Sequence, residues 1–303
     1  MFLETFQQVL KLFTFMAIGF ALNKFHKVPN LTTYVLSQLE VNCLIPCLSF
    51  RTFSTNFTPE KLSSVPQLML VSIICLPLMW LLAIFVGRRI SKDHYTQNVA
   101  IYSMSVPNTG YVGTPLILSM YGSEMLMHYS LFAIPLSIYT YTAGMQELLD
   151  QKKVQVKNFF SMPMIAIYLG MIFGLLRIPV TGLFKDVIDG CANCMSPLAM
   201  LLTGCVIAEF DFKKLLGDWH VYAVVALRMI VTPLIFCTIG YFLHLPRTIM
   251  IVMVGILAMP TGLNTIIFPA SVGKDCHLGA GMACVSNTLA VLTVPLLFSL
   301  YIR

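Results

Sequence analysis

Charged side chains are scarce in this sequence: Asp, Glu, Lys and Arg make up 11% of its 303 residues, against about 25% in ordinary soluble domains. Hydrophobic residues make up 57% of the chain, and the mean hydropathy is +0.82. A folded chain of this size could not bury so much apolar surface while presenting so few charges to water. The composition therefore excludes a soluble enzyme and indicates an integral membrane protein.

Several functional motifs are absent. No G-x-x-x-x-G-K-[ST] motif occurs, so the chain cannot hydrolyse ATP through a P-loop. The sequence also lacks H-E-x-x-H and any pair of aspartates within an apolar run, which argues against an intramembrane enzyme. The net charge of +6 is dispersed rather than gathered into a basic stripe, which excludes nucleic acid as a partner. We expect no enzymatic activity and no cofactor.

Metal-ligand patterns are missing too, although the chain has nine cysteines. Six cysteines lie inside apolar runs, where small side chains allow helices to approach one another: Cys43, Cys47, Cys75, Cys205, Cys237 and Cys284. The C-x-x-C spacing of Cys191 and Cys194 has no second pair and no nearby histidine, and we interpret it as packing. The six histidines form no ligand pair at helical spacing. No metal site is expected.

Ten apolar runs are long enough to cross a bilayer, which requires about 20 residues per helix. Numbered as spans 1 to 10, they occupy 5–23, 32–53, 66–87, 97–120, 124–146, 159–177, 187–208, 219–243, 247–271 and 276–301. The sequence therefore predicts an all-α membrane protein with ten transmembrane helices.

The most polar interruption divides the spans into five and five. It predicts a first repeat at 1–146, a linker at 147–158 and a second repeat at 159–303. Lys and Arg in short loops favour the cytoplasmic side, and placing both termini outside puts eleven of them inside and six outside. The expected location is the cell membrane, in a multi-pass arrangement with a cytoplasmic linker and both termini outside.

The two halves share a weak sequence similarity. Asn42-Cys43-Leu44-Ile45-Pro46 in span 2 recurs as Asn193-Cys194-Met195-Ser196-Pro197 in span 7. Pro77 in span 3 corresponds to Pro233 in span 8 at a similar offset. Because each half contains an odd number of spans, the second half would be inverted relative to the first. The pattern predicts a 5+5 inverted repeat.

Spans 4 and 9 contain the most informative stretches, Ser105–Pro115 and Met259–Pro269. Each has two prolines eight or nine residues apart, with Gly, Thr and Asn between them. A proline frees the carbonyl four residues before it, which here predicts four freed carbonyls, at Ser103, Tyr111, Ile256 and Thr265. Such backbone persists at membrane depth only where it lines protein or a wet cavity. We expect helices 4 and 9 to be broken and to cross.

Paired interrupted segments in matching halves are typical of a transporter binding site. Their half-helix ends carry partial charges, and neutral Asn and Thr side chains beside them suit a small polar ligand. The candidate substrate-binding residues are Asn108, Pro107, Thr109, Thr114, Asn264, Pro260, Thr261, Asn42 and Asn193. The alternative is a pair of kinked helices whose Asn and Thr side chains only satisfy the freed backbone.

Charges inside apolar runs are functional candidates. Arg228 lies nine residues past Trp219, about 14 Å along a helix and so near the bilayer centre. It could attract an anionic substrate or pair with a carboxylate. Glu40 and Asp189 could each be its partner or carry a coupling proton.

Several stretches resemble one known family, the auxin efflux carriers. The similar residues are Ile45–Phe50, Phe53–Asn56, Ser105–Thr109, Pro115 with Leu116, Met120–Gly122, and Ala258–Thr261 with Asn264. The resemblance implies a ten-helix fold related to bile acid:sodium symporters, with broken, crossing helices 4 and 9. It also implies that the substrates are organic anions.

The sequence and the resemblance together predict a secondary-active or facilitative transporter of small organic anions, such as carboxylates or auxin-like acids, working by alternating access. A sodium-coupled anion symporter and a membrane sensor that binds its ligand without moving it are the alternatives. The expected partners are the organic anion and the lipid bilayer, and a homodimer is left open.

Overall fold

Helices form all the regular secondary structure in the residues that the computed structural model describes, which are 2–29, 31–150, 160–209 and 217–302. The α-helices are Phe2–Lys24, Thr32–Leu39, Ile45–Asn56, Pro59–Ser64, Pro66–Ile90, His94–Ser105, Thr114–Phe132, Ile134–Tyr139, Met145–Leu148, Met162–Leu175, Gly182–Glu209, Trp219–Ala226, Thr232–Phe242, Arg247–Leu257, Asn264–Ser271 and His277–Tyr301. The all-helical prediction is confirmed for this part of the chain. From residue 151 onward, the predicted linker lies outside the described residues.

Four short stretches have the wider hydrogen bonding of a π-helix, and they are Glu40–Leu44, Thr109–Gly113, Thr140–Gly144 and Leu227–Val231. Three of them directly precede an α-helix whose second residue is proline: Pro46, Pro115 or Pro233. Since proline cannot donate to the carbonyl four residues back and its ring crowds that position, a widened turn accommodates it. Both buried ionisable residues of the sequence analysis, Glu40 and Arg228, lie in such turns.

Membrane-spanning capacity is clear for part of the fold. Within the described ranges, four helices are long and apolar enough to cross a membrane, and they are Pro66–Ile90, Gly182–Glu209, Trp219–Phe242 and His277–Tyr301. Two shorter apolar helices are Met162–Leu175 and Arg247–Leu257. Predicted span 1 is one continuous helix, Phe2–Lys24, and the remaining predicted spans are interrupted or divided into shorter helices. The chain is therefore an all-helical membrane protein, and the count of ten spans stays a prediction.

Glycines allow two pairs of helices to pack at close range. Phe2–Lys24 packs along Gly182–Glu209, where a Cβ on Gly204 would collide with the carbonyl oxygen of Met16. Met162–Leu175 packs against the helix that begins at Ile45, with Gly174 against its backbone. Small residues at helix interfaces permit this backbone approach in membrane proteins.

We expect Gly204→Ala to lower the stability of the protein by about 1–3 kcal/mol, the usual cost of overpacking a well-packed interior. Gly190 is the matched control, since it lies on the same helix with no heavy atom within 4 Å of the site where its Cβ would be. Gly190→Ala should raise stability by about 0.5–1 kcal/mol through helix propensity. Thermal unfolding of the purified protein checks both, and equal melting temperatures for the two variants would contradict the packing.

Candidate functional site

Two helix interruptions meet in the centre of the molecule. One separates His94–Ser105 from the π-helical turn Thr109–Gly113, and the other separates Arg247–Leu257 from Asn264–Ser271. Their backbones pair in an antiparallel bridge: Asn108 N–H donates to the Pro260 carbonyl at 2.9 Å, and Gly262 N–H donates to the Val106 carbonyl at 2.9 Å. The two interrupted stretches therefore touch through their main chains, each at the first proline of its pair.

The close approach needs a glycine and a supporting hydroxyl. A Cβ on Gly262 would lie 2.9 Å from the Val106 carbonyl oxygen, tighter than real Cβ contacts. Ser286, on the last helix, accepts a hydrogen bond from Thr261 N–H at 3.2 Å and shares another with the Thr261 hydroxyl at 2.8 Å. This contact fixes the crossing point to a third element, His277–Tyr301.

Two of the carbonyls predicted to be freed by proline find partners on other helices. The Tyr111 carbonyl accepts from the Ser196 hydroxyl at 2.5 Å. The Ile256 carbonyl accepts from Arg228 Nη2 at 3.1 Å. The interrupted backbone is thus satisfied by side chains as well as by its own bridge, as membrane burial requires.

A cavity of about 660 Å³ opens beside the crossing, within the usual size range for small-molecule sites. Six of the predicted binding residues line it, namely Pro107, Asn108, Thr109, Thr114, Asn193 and Asn264. Pro260 and Thr261 lie in the crossing backbone instead. Asn42 does not reach the cavity: it is exposed, and its amide donates to Gln38 on its own helix.

The two central asparagines keep unsatisfied polar atoms. Asn108 is 1% exposed and Asn264 is 6% exposed. The Asn108 Oδ1 accepts from Tyr111 N–H at 3.2 Å, but its Nδ2 has no hydrogen-bond partner, and neither does Asn264 Oδ1. A buried polar atom without a partner costs about 1–3 kcal/mol. Two residues of the cavity lining therefore each carry a buried polar atom without a partner, a donor in Asn108 and an acceptor in Asn264.

The cavity lining is net cationic, because it contains three basic and two acidic side chains, namely Arg51, Lys61, Lys185, Glu124 and Asp189. Arg51 donates to Asn193 Oδ1 at 2.8 Å and lies 3.5 Å from an Asp189 carboxylate oxygen. Arg51, Lys61 and Lys185 are three of the six Lys and Arg residues counted on the outer side, and they were not predicted to belong to the site. Their place in the site depends on contacts between helices far apart in sequence, which no local spacing indicates.

The two buried charges do not pair with each other. Arg228 is fully buried and donates to the Ile256 carbonyl and, at 3.7 Å, to Met79 Sδ. Within the described residues no carboxylate lies in ion-pair range of Arg228, and Asp189, one of its two predicted partners, pairs with Arg51 and Lys185 instead. Arg228 does not line the cavity, and its hydrogen bond to the Ile256 carbonyl joins two helical segments beside the crossing.

Glu40, the other predicted partner of Arg228, is fully buried, and neither of its carboxyl oxygens makes a hydrogen bond of good geometry. The hydroxyl of Tyr111, a cavity residue, faces this carboxyl group. Tyr141 is the other titratable side chain nearby and also lines the cavity. Glu40 therefore lies one side chain behind the cavity wall.

Two interrupted helices that cross beside a cavity in an all-helical membrane fold are typical of membrane transport proteins. The family described as membrane transport protein (Mem_trans), the auxin efflux carrier family, matches residues 4–298, and the chain belongs to this family. The resemblance found in the sequence is thereby confirmed. The chain is also 22% identical over 304 residues to an uncharacterised transporter of Methanothermobacter thermautotrophicus, a match that covers 97% of this chain and 98% of the relative.

Proposed function

We propose that the protein moves small organic anions across the cell membrane by alternating access, as a secondary-active or facilitative carrier. One observation carries this proposal: a net cationic cavity ends at two buried asparagines with unsatisfied amide atoms, at the crossing of two interrupted helices. An amide donor suits a carboxylate oxygen, and cations around the cavity favour an anion over a cation. The substrate class is a mono- or dicarboxylate or an indole-type acid.

The proposed architecture is a 5+5 inverted repeat of ten transmembrane helices, 1–146 and 159–303. The interrupted stretches occupy corresponding places in these halves and pair antiparallel. Packing supports the same symmetry, since the first helix of each half packs on the second helical region of the other: Phe2–Lys24 on Gly182–Glu209, and Met162–Leu175 on Ile45–Asn56. Non-enzymatic transport fits this arrangement.

Orientation follows from the distribution of Lys and Arg. We place both termini outside, which puts Arg51 and Lys61 on the outer side of the membrane. Both residues line the cavity, so the charged end of the cavity would face the exterior. In this orientation an anion from outside meets the cations first and the asparagines afterwards.

Coupling to protons is assigned to Glu40. A buried ionised carboxylate without a cationic partner is far more costly than the neutral acid, and Glu40 has no such partner among the described residues. Tyr111 connects it to the cavity wall. Glu40 would exchange its proton when the site changes its exposure, so that one proton accompanies the anion.

The proposed function is tested by flux into proteoliposomes. A thermal-shift screen of labelled mono-, di- and indole carboxylic acids selects the substrate, because a ligand of the native state raises its apparent stability by mass action. We expect at least one acid that shifts the melting temperature to be taken up. Binding without flux would make the protein a sensor, and uptake that stops when sodium is replaced by potassium would make it a sodium symporter.

If Asn108 and Asn264 bind the substrate, substituting them should lower the affinity for the substrate and leave the stability of the protein nearly unchanged. Asn108→Ser keeps an oxygen able to cap the turn at Tyr111 but removes the free amide donor, and Asn264→Ala removes the free acceptor. Losing a hydrogen bond to a charged ligand group costs about 1.5–3 kcal/mol, or roughly ten- to hundredfold in affinity. We expect affinity for the selected acid to fall at least tenfold, with a shift of only a few degrees in the ligand-free melting temperature.

Arg228→Ala is the control for these variants. It deletes a large buried side chain and the donor to the Ile256 carbonyl, so a stability loss of about 2–5 kcal/mol is expected, as for other large-to-small core changes. If the asparagine variants are unstable but their folded molecules bind the acid normally, then Asn108 and Asn264 only satisfy the freed backbone of their own helices. The binding-site assignment would then be wrong.

Glu40→Gln separates proton coupling from substrate exchange. The amide has nearly the shape of the neutral acid but cannot release a proton. Wild-type proteoliposomes should accumulate the acid when the outside is made acidic, and the variant should exchange labelled for unlabelled acid yet lose this accumulation. Accumulation by Glu40→Gln equal to that of the wild type would remove Glu40 from the mechanism without affecting the transport assignment.

A further inference from the structure

Three thiols converge between two helical regions outside the cavity. Cys43 lies in the π-helical turn Glu40–Leu44, and Cys47 lies one turn further along the same helical region. Cys191 reaches them from Gly182–Glu209, and the three Sγ atoms all lie within 4.8 Å of one another. None of the three forms a disulfide bond. The C-x-x-C spacing of Cys191 and Cys194, interpreted above as packing, did not bring Cys191 together with Cys43 and Cys47, because these lie in the other half of the chain.

We propose that Cys43, Cys47 and Cys191 form a binding site for a thiophilic divalent metal ion of the zinc class. Zinc–thiolate bonds of about 2.3 Å place three ligand sulfurs about 4 Å apart. The thiols need to close by less than about 1 Å to reach that spacing, which side-chain rotation can supply. Thiolate ligands select zinc and other soft ions over magnesium or calcium.

Burial separates this cluster from four of the six other cysteines. Cys43, Cys47 and Cys191 are each half-buried, whereas Cys75, Cys205, Cys237 and Cys276 are fully buried. Full burial suits a packing role. Half-burial leaves a path for an ion to enter and room for a water as fourth ligand, the open coordination position of non-structural zinc sites.

The net charge of the loaded site favours a divalent ion over a monovalent one. Binding releases the three thiol protons to solvent, so the loaded site holds three thiolates with net charge −1 for a divalent ion and −2 for a monovalent one. The smaller charge costs less to bury. Arg51 lies one helical turn past Cys47, and with Lys185 and Asp189 it forms a cluster of two cations and one carboxylate, net +1. A divalent ion is therefore favoured over Cu(I).

The site would join two elements that shape the cavity. Cys47 precedes Arg51 by one turn, and Cys191 precedes Asn193 by two residues. Arg51 and Asn193 are hydrogen-bonded at 2.8 Å and line the cavity. An ion held by the three thiols would fix the contact that positions Arg51. The metal site itself does not depend on the proposed transport activity.

Cadmium titration of the purified full-length protein tests the site. Cd(II) is added in the presence of a phosphine reductant, and the ultraviolet thiolate-to-cadmium charge-transfer absorption is read until it saturates. We expect one ion per chain, displaced by Zn(II). Cys191→Ser should weaken binding at least about tenfold, and the matched control Cys194→Ser, an exposed cysteine on the same helix, should bind like the wild type.

Folding of each variant is checked by size-exclusion chromatography and melting temperature, and Cys43→Ser is a second variant should Cys191→Ser fail to fold. Absence of the charge-transfer band in the reduced wild-type protein would overturn the proposal. The proposal would also be overturned if Cys191→Ser, or a folded Cys43→Ser, bound cadmium as well as Cys194→Ser does. Loss of binding in Cys194→Ser alone would move the site to other thiols and equally overturn it.

Discussion

The structure depends on one constraint: main-chain polar groups at membrane depth must find partners inside the protein. Pro107 and Pro260 interrupt two helices within apolar spans. The broken ends satisfy each other instead, through the pairs Asn108 N–H with Pro260 O and Gly262 N–H with Val106 O. Because this bridge requires both interruptions at once, neither helix could be interrupted alone without leaving main-chain groups unpaired. The crossing and the cavity beside it therefore form together.

The same constraint explains two polar side chains that have no place in an ordinary apolar helix. Ser196 donates to the Tyr111 carbonyl, and Arg228 donates to the Ile256 carbonyl, both freed by a following proline. Each donor belongs to a helix that packs beside the crossing. Burying the Arg228 side chain costs free energy. Its hydrogen bond compensates for part of that cost, because without it the Ile256 carbonyl would lose a donor within hydrocarbon. It stabilises the site without being exposed in it.

Local sequence could predict the interruptions, because proline and glycine act within four residues of their own position. Asn108, Thr109 and Asn264 were found for this reason. Arg51 and Cys191 were missed, because their contacts join residues more than 140 positions apart. Asn42 was assigned to the site through its repeat partner, Asn193. An inverted repeat relates positions along helices but not the faces that meet the cavity, and Asn42 faces outward on its own helix.

The separation of charge from the centre of the site has a consequence for transport. A carrier must bind its substrate firmly enough to capture it and weakly enough to release it on the other side. A free guanidinium at the crossing would hold a carboxylate by bidentate, charge-assisted bonds, and release would then be slow. Arg228 is instead occupied by the Ile256 carbonyl. Asn108 and Asn264 line the cavity with neutral amides, while the cations lie elsewhere in the lining. Under the proposed function these cations would attract an anionic substrate without holding it at the crossing.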